Sequence, residues 1–359
     1  MPETPSPLDA ADLRARVQLV VDEVLTHQSA VLAEVSVDLA PMVDALTALL
    51  AGGKRLRPAF CYWGWRGAGG QPALDDAALR ASASLEFLQA CALIHDDVMD
   101  ASDTRRGLPS AHRRFAEVHR AAGWLGSPES FGVGAAVLLG DLCLSWADAV
   151  LLSTDFPEDV LRRGKVVYDQ MRTELMAGQY LDLLEQARGG GSVERALAVV
   201  RYKSAKYTIE RPLHLGSALA GADEAVVAAY TGYGLPLGEA FQLRDDILGV
   251  FGDPNETGKP AGDDLREGKR TVLVAVAVER SSPQQAAVVR RHLGHPGLDA
   301  DGVRGLREII TDTGALEYTE DLISRRLDDA LGALDTADLD AQAREVLIGL
   351  AFAATRRTL

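Results

Sequence analysis

Residues 82–100 read Ser82-Ala83-Ser84-Leu85-Glu86-Phe87-Leu88-Gln89-Ala90-Cys91-Ala92-Leu93-Ile94-His95-Asp96-Asp97-Val98-Met99-Asp100. An almost uncharged run of helical composition ends in three acids packed into five positions. Such a run should be a buried helix. On it Asp96 and Asp100 are four apart and share a face, and Asp97 and Asp100 are three apart, so the carboxylates repel unless a cation joins them. Mg²⁺ suits the task. It is a hard ion that takes carboxylate oxygens and completes its shell with water and phosphate oxygens. A solvated acidic helix end is the plainer reading of these five residues alone. The rest of the chain decides between the two.

Outward from this stretch the same texture continues. Ala and Leu dominate, β-branched runs are short and apolar residues recur at helical spacing, which indicates an all-α fold. The 359 residues exceed the usual single-domain length, yet no stretch reads as a linker between two cores. Residues 10–359 are therefore read as one large helical domain, and residues 1–9, rich in Pro and acid, as a disordered leader. Apolar residues make up 47% and charged residues 25%, ordinary globular usage. The net charge of −15 argues against nucleic acid as a partner and disfavours docking on anionic lipid, but allows a local basic pocket. Cys61, Cys91 and Cys143, odd in number and set among apolar residues, suggest reduced thiols in a cytoplasmic protein. No apolar run approaches the ~20 residues that cross a bilayer, so no transmembrane segment is expected. The start lacks the basic-then-apolar pattern of a signal peptide.

Basic residues gather in a few places. Residues 10–50 read as two helices broken near Pro41. Gly52-Gly53-Lys54-Arg55-Leu56-Arg57-Pro58 follows: two glycines, three cations within four residues, and a proline suited to a helix start. In so acidic a chain this looks like an anion site, with Arg as a planar fork and Lys as a point charge. A solvated basic turn is the alternative. Arg105-Arg106-Gly107-Leu108-Pro109 comes directly after the acids, as if metal and guanidinium held one diphosphate from two sides. Internal salt bridges would explain the pair equally well. Residues 120–131 read as a loop before an apolar helix starting near Gly132. Gly178-Gln179-Tyr180-Leu181-Asp182-Leu183 lies on a helix, and Gly189 to Ser192 is a turn. Tyr202-Lys203-Ser204-Ala205-Lys206-Tyr207 opens a helix that Pro212 should kink. Phe241-Gln242-Leu243-Arg244-Asp245-Asp246 repeats the pattern of an apolar helix ending in paired acids. Gly258 to Thr271, charged and Gly-rich, is of the kind that makes a mobile lid.

Two acid clusters ringed by Lys54, Arg57, Arg105, Arg106, Lys203, Lys259 and Lys269 would suit metal-assisted departure of diphosphate from a substrate whose hydrocarbon chain rests on an apolar floor. In the motifs GGKRLRP, LIHDDVMD, RRGLP, GQYLDL, YKSAKY, FQLRDD and GKPAGDD, taken in this order, the chain resembles the trans-isoprenyl diphosphate synthases, the polyprenyl synthetase family. The resemblance runs from about Gly52 to Thr271 and extends over nearly the whole length.

The resemblance implies a helical bundle around an elongated central cavity (the isoprenoid synthase fold), a homodimer, and three Mg²⁺ ions per site. Asp96, Asp97 and Asp100 would hold metal on the diphosphate of an allylic substrate, and Asp245, with Asp246 beside it, a further ion. Arg105, Lys203, Gln242, Lys259 and Lys269 would grip the allylic diphosphate. Lys54, Arg57, Gln89 and Arg106 would hold isopentenyl diphosphate. Gln179 and Asp182 would line the allylic site, and Ser204 stands where the family usually has Thr. The family's second motif is commonly DDxxD, but its third acid is Gly249 here, which leaves that cluster's details open.

Product length follows from the helix before Asp96. Family members that stop at fifteen carbons tend to carry aromatics four and five positions upstream. Ala92 and Cys91 are small, and Phe87 and Leu88, a turn further down, could form a floor. A helical turn advances ~5.4 Å, close to one isoprene unit. Geranylgeranyl diphosphate is thus the expected product, with farnesyl or longer polyprenyl diphosphates as the alternatives. A class I terpene cyclase would not need GGKRLRP, and a non-catalytic synthase subunit would tend to lose acids that are all present here. A metal phosphohydrolase, suggested by His95-Asp96, lacks its further ligands.

Overall fold

The structure, a computed structural model, describes residues 7–189, 191–253, 262–295 and 297–355. The expected all-α architecture is present. Its centre is α4 (Asp75–Met99), whose buried positions run from Ala77 through Ile94 on almost every side. A helix that is apolar all round must lie inside the bundle. Around it stand α1 (Leu13–Val35), α2 (Ala40–Leu50), α3 (Leu56–Gly67), α5 (Ala111–Ala122) and α6 (Pro128–Leu152). The shell is completed by α7 (Glu158–Arg188), α8 (Val193–Val199), α9 (Arg211–Ala220) and α10 (Glu224–Phe251). One core joins α1, α3, α4, α6, α7, α9 and α10. A second forms where the end of α10 meets α11 (Asp263–Glu267), α12 (Val272–Arg280), α13 (Pro283–His292), α14 (Ala300–Asp312) and α15 (Ala315–Ala333). The last helix, α16 (Ala341–Thr355), closes the first core.

Several boundaries differ from expectation. The break between the first helices falls at Ser36, whose Oγ accepts from the Asp38 N–H (3.1 Å), so Pro41 sits harmlessly in the first turn of α2. The loop expected over 120–131 is shorter, because α5 continues to Ala122 and Ser127 caps α6 from Pro128. The leader expected over 1–9 enters the described residues at Pro7, where Pro7–Asp12 form a 3₁₀ segment against α16. Residues 104–109 make a tight antiparallel hairpin, Thr104–Arg105 with Leu108–Pro109. Arg106 (φ 54°) and Gly107 (φ 74°) both sit in the left-handed region, the geometry that matches a two-residue hairpin turn to strand twist.

The YKSAKY stretch does not open a fresh helix. It lies in a π-helical segment, Val200–Glu210, continuous with α8 and α9. Pro212, in the first turn of α9, has no N–H to give, and the wider winding upstream absorbs that loss. A wider helix needs room. A Cβ on Gly178 of α7 would lie 2.3 Å from the Lys203 nitrogen, and one on Gly238 of α10 would lie 2.5 Å from the Ala205 Cα. These two glycines let the π segment nest between its neighbours.

Two helical stretches, Pro72–Met99 and Pro128–Leu152, are long and apolar enough to cross a membrane, contrary to expectation. Scattered Ser, Gly and Glu hide this in the sequence. The first is 78% buried and is the core helix of the bundle. The second, α6, is less than half buried and leaves Phe131, Val133, Val137 and Leu138 exposed beside Trp124 and Leu125.

Candidate active site

The C-terminal ends of α4 and α10 face one cavity of about 740 Å³, lined among others by Asp96, Asp245 and Asp246. The same cavity takes Lys54, Arg57, Gln89, Ala92, Arg105, Gln179, Asp182, Lys203, Ser204, Gln242 and Lys269. Most of the residues singled out from sequence thus converge.

Asp96 is the hub of the first ledge. Lys203 Nζ (3.0 Å) and Gln179 Nε2 (3.0 Å) both donate to its Oδ1, and Arg105 lies 3.7 Å from Oδ2. Burial pulls its carboxyl upward, but Lys203, Lys269 and Arg105 together hold it below the usual range. Lys203 also donates to Asp182 (2.6 Å). Burial works against its charge, and Asp96, Asp182 and Asp100 overcome that and raise its pKa. Asp100 is different. Burial, then the charge of Asp96, pushes its carboxyl up to about 6. Both its oxygens are buried with no hydrogen-bond partner among the described residues.

On the second ledge Gln242 Nε2 donates to Asp246 (2.8 Å), and Ser204 Oγ donates to Gln242 Oε1, so the hydroxyl at position 204 orients the amide. Burial raises the Asp246 carboxyl to about 8, with Asp264 and Asp245 adding to the effect and Gln242 and Lys269 opposing it. Lys269 lies between the ledges. It binds Glu267 (2.9 Å) and Asp264 (3.2 Å), and the field of Asp100 reaches it as well. Burial disfavours its charge, but these acids hold its pKa well above the ordinary value. Deeper in, Arg57 lies over the Tyr207 ring at 4.3 Å and donates to Thr208 (2.8 Å), while Tyr207 Oη donates to Gln89 (2.7 Å). Tyr207 therefore holds two of the four groups expected at the second diphosphate.

Some assignments need correction. Asp97 does not line the cavity: it is 3% exposed and accepts from Arg105 Nε (3.0 Å), so it positions that arginine. Arg106 is also outside the cavity. The hairpin turns it away from Arg105, and it donates to the carbonyls of Leu49 (3.0 Å) and Gly52 (3.2 Å), tying down the GGKRLRP loop. Only Ala92 of the four length-setting residues reaches the cavity. Cys91 is rotated by one residue toward α6, its Sγ 3.8 Å from His95 Nδ1. Phe87 packs edge-on against Trp146 of α6, and Leu88 is fully enclosed. His95 itself meets the Val137 carbonyl (3.1 Å) on α6 and so takes no part in a metal site at the ledges. Lys259 lies outside the described residues. So does the start of the expected lid, residues 258–261, and the rest is anchored, with Leu265 only 1% exposed.

Three contributors escaped the sequence reading. Arg55, 4% exposed, binds Glu86, Gln18 and the Leu50 carbonyl (2.6 Å) and so anchors the basic loop. Tyr207 and Asp264 sit within motifs already quoted, but nothing in their spacing marks them.

The donor set fits Mg²⁺. Asp100, which does not itself line the cavity, has two buried oxygens that lack donors among the described residues, and Asp96 and Asp245 offer hard carboxylates that both line it. Among the described residues no three such side chains close into a cage. That accords with an ion that keeps water and substrate oxygens in its shell.

The family model described as Polyprenyl synthetase matches residues 40–310. The chain belongs to the polyprenyl synthetase family. Among curated members, it is 32% identical over 307 residues to a geranylfarnesyl diphosphate synthase of Aeropyrum pernix, covering 84% of this chain and 90% of that one. It is 31% identical to a geranylgeranyl diphosphate synthase of Mycobacterium tuberculosis, covering 82% and 78%. A crystal structure of a Corynebacterium glutamicum geranylgeranyl pyrophosphate synthase, complexed with isoprenyl diphosphate and magnesium, superposes with a TM-score of 0.92. The identity is 42%, over 96% of this chain and 99% of that one. Among the described residues, the polyprenyl synthetase motifs quoted above fall on the cavity or on the segments that hold it.

Proposed function

We propose that this protein is a Mg²⁺-dependent trans-prenyltransferase that joins isopentenyl diphosphate to an allylic diphosphate, with geranylgeranyl diphosphate as the main product. The observation that carries the reading is the pair of acid ledges on one cavity, the first paired with Lys203 and both within the field of Lys269, above walls of Ala92, Leu93, Leu175 and Phe241. Bound Mg²⁺, with three ions per site as the family expectation, would supply charge neutralisation for the departing diphosphate. Asp96, Asp100 and Asp245 are the residues to hold it.

The protein's own cations share that work. Arg105, Lys203 and Lys269 meet the allylic diphosphate where negative charge grows as the C–O bond breaks and the electron pair leaves with oxygen. Asp182 fixes Lys203, and Gln179 fixes Asp96. Arg57, Lys54 and Gln89 hold isopentenyl diphosphate so that its double bond faces the allylic carbon. The new C–C bond forms there. A proton then leaves the adjacent carbon for the departing diphosphate, giving a product five carbons longer. Phe241, Leu93 and Tyr207 exclude water that would quench the cation.

The product assignment draws support from the small residue at Ala92 and from the names of the relatives. The exposed apolar face of α6 supports a homodimer, with a second copy covering Phe131 to Leu138. Three buried free thiols accord with a cytoplasmic location. The test is incubation with labelled isopentenyl diphosphate and dimethylallyl, geranyl or farnesyl diphosphate, with and without Mg²⁺. Sizing the dephosphorylated products should show a twenty-carbon chain. An absence of any chain growth, or growth indifferent to chelator, would overturn the reading.

A further inference from the structure

Three cations that line the cavity stand against acids. Arg105 binds Asp97 (3.0 Å), Lys203 binds Asp96 (3.0 Å) and Asp182 (2.6 Å), and Lys269 binds Glu267 (2.9 Å) and Asp264 (3.2 Å). Arg270 lines the same cavity and differs from them. Among the described residues no acid lies against it, and its buried Nε has no hydrogen-bond partner. Burial lowers its pKa, and no neighbouring carboxylate opposes the shift. A partly buried cation left unmatched is a costly placement, the more so in a chain with 52 acids to offer.

The backbone is fixed on both sides of it. The Lys269 N–H donates to the Asp264 carbonyl (3.0 Å), and Thr271 Oγ accepts from the Val274 N–H (3.3 Å) at the start of α12. Val272 and Leu273 follow, both fully enclosed in the second core. α12 packs against α8 and the end of α10. These two helices line the cavity with Ala196, Val199, Asp245 and Leu248, so Arg270 belongs to the end that carries the second ledge. Arg57 and Gln89, expected at isopentenyl diphosphate, come instead from α3 and α4.

We infer that Arg270 is a further binding residue for the diphosphate of the allylic substrate, and for the inorganic diphosphate that departs from it, reaching its oxygens from the second ledge. The inference rests on the prenyltransferase reading above and adds a residue to it. A planar guanidinium with unused N–H groups matches phosphoryl oxygens in pairs, as an ammonium does not. Diphosphate supplies the countercharge that the fold withholds. The arrangement exchanges stability of the ligand-free chain for grip on the ligand.

The test compares the wild type with Arg270→Met, which keeps the apolar stem and removes the fork. Calorimetry with inorganic diphosphate in Mg²⁺ should show binding weakened roughly 10-fold or more. Steady-state kinetics should show a higher KM for the allylic diphosphate and an unchanged KM for isopentenyl diphosphate. Arg270→Lys should fall between the two proteins. The melting temperature of ligand-free Arg270→Met should rise, because an unmatched charge has been removed; loss of a structural contact would lower it. Wild-type affinity in Arg270→Met, a KM effect confined to isopentenyl diphosphate, or weaker binding accompanied by a lower melting temperature each overturns the inference and leaves the prenyltransferase reading in place. A wild-type protein that binds no diphosphate in Mg²⁺ overturns both.

Discussion

Replacing Gly178 with Ala tests the contact on which the site geometry depends most. The new Cβ would lie 2.3 Å from the Lys203 nitrogen, 2.5 Å from the Tyr202 carbonyl carbon and 2.7 Å from the Lys203 Cα. All three are backbone atoms, so no side chain can swing aside. Ordinary contact requires α7 and the π segment to separate by roughly 1 Å. Such overpacking costs typically ~1–3 kcal/mol. The same shift carries Gln179 and Asp182 away from Lys203 and Asp96, whose present contacts are 2.6 and 3.0 Å. A misplacement of ~1 Å in a positioning group can lower the rate ~100-fold. Denaturant unfolding would read the stability loss, and steady-state kinetics with both diphosphates the loss in kcat/KM. Gly305→Ala is the control, because its Cβ meets nothing within 4 Å on α14. It should stabilise by ~0.5–1 kcal/mol through helix propensity and leave kinetics unchanged. A Gly178→Ala protein with wild-type stability and wild-type kcat/KM would refute the claim that close approach of α7 sets the site.

Further expectations follow from other contacts. Asp246, raised to about 8 against an ordinary 3.8, keeps its proton in the folded chain over a range where the unfolded chain loses it. Metal-free stability should therefore fall as pH rises from about 4 to about 8, with a slope of at most ~1.4 kcal/mol per pH unit from this group, and Asp246→Asn should flatten the curve measured by denaturant titration in chelator. Ala92→Phe should shorten the product on chromatography, because Ala92 lines the cavity; Cys91→Phe should instead cost ~1–3 kcal/mol by crowding α6 and leave product length unchanged. Leu138→Asp places a charge in the exposed stripe of α6 and should convert a dimer into a monomer in sedimentation velocity; a wild type that already sediments as a monomer would remove the basis for the dimer.

Much of this protein was legible in its sequence, for a local reason. Helical period, caps and punctuation depend on residues within a few positions of one another, so an all-α fold with an acid-tipped buried helix could be read from residues 82–100 and their continuation. The motifs were equally readable, because charge at fixed spacing on a helix has one geometric meaning. Asp96, Lys203 and Gln179 met where the motifs implied. What the chain alone could not reveal is which way each side chain turns once helices pack. Asp97 and Arg106 carry the right chemistry but are spent on neighbours, Arg105 and the 49–52 carbonyls. Cys91 and Ala92 are adjacent in sequence, yet packing against α6 sends only Ala92 into the cavity. Gly249 reads as an open position until α11 brings Asp264 against it. Each of these outcomes is a contact between residues far apart in the chain. Local propensity says nothing about such contacts, and only close packing in three dimensions decides them.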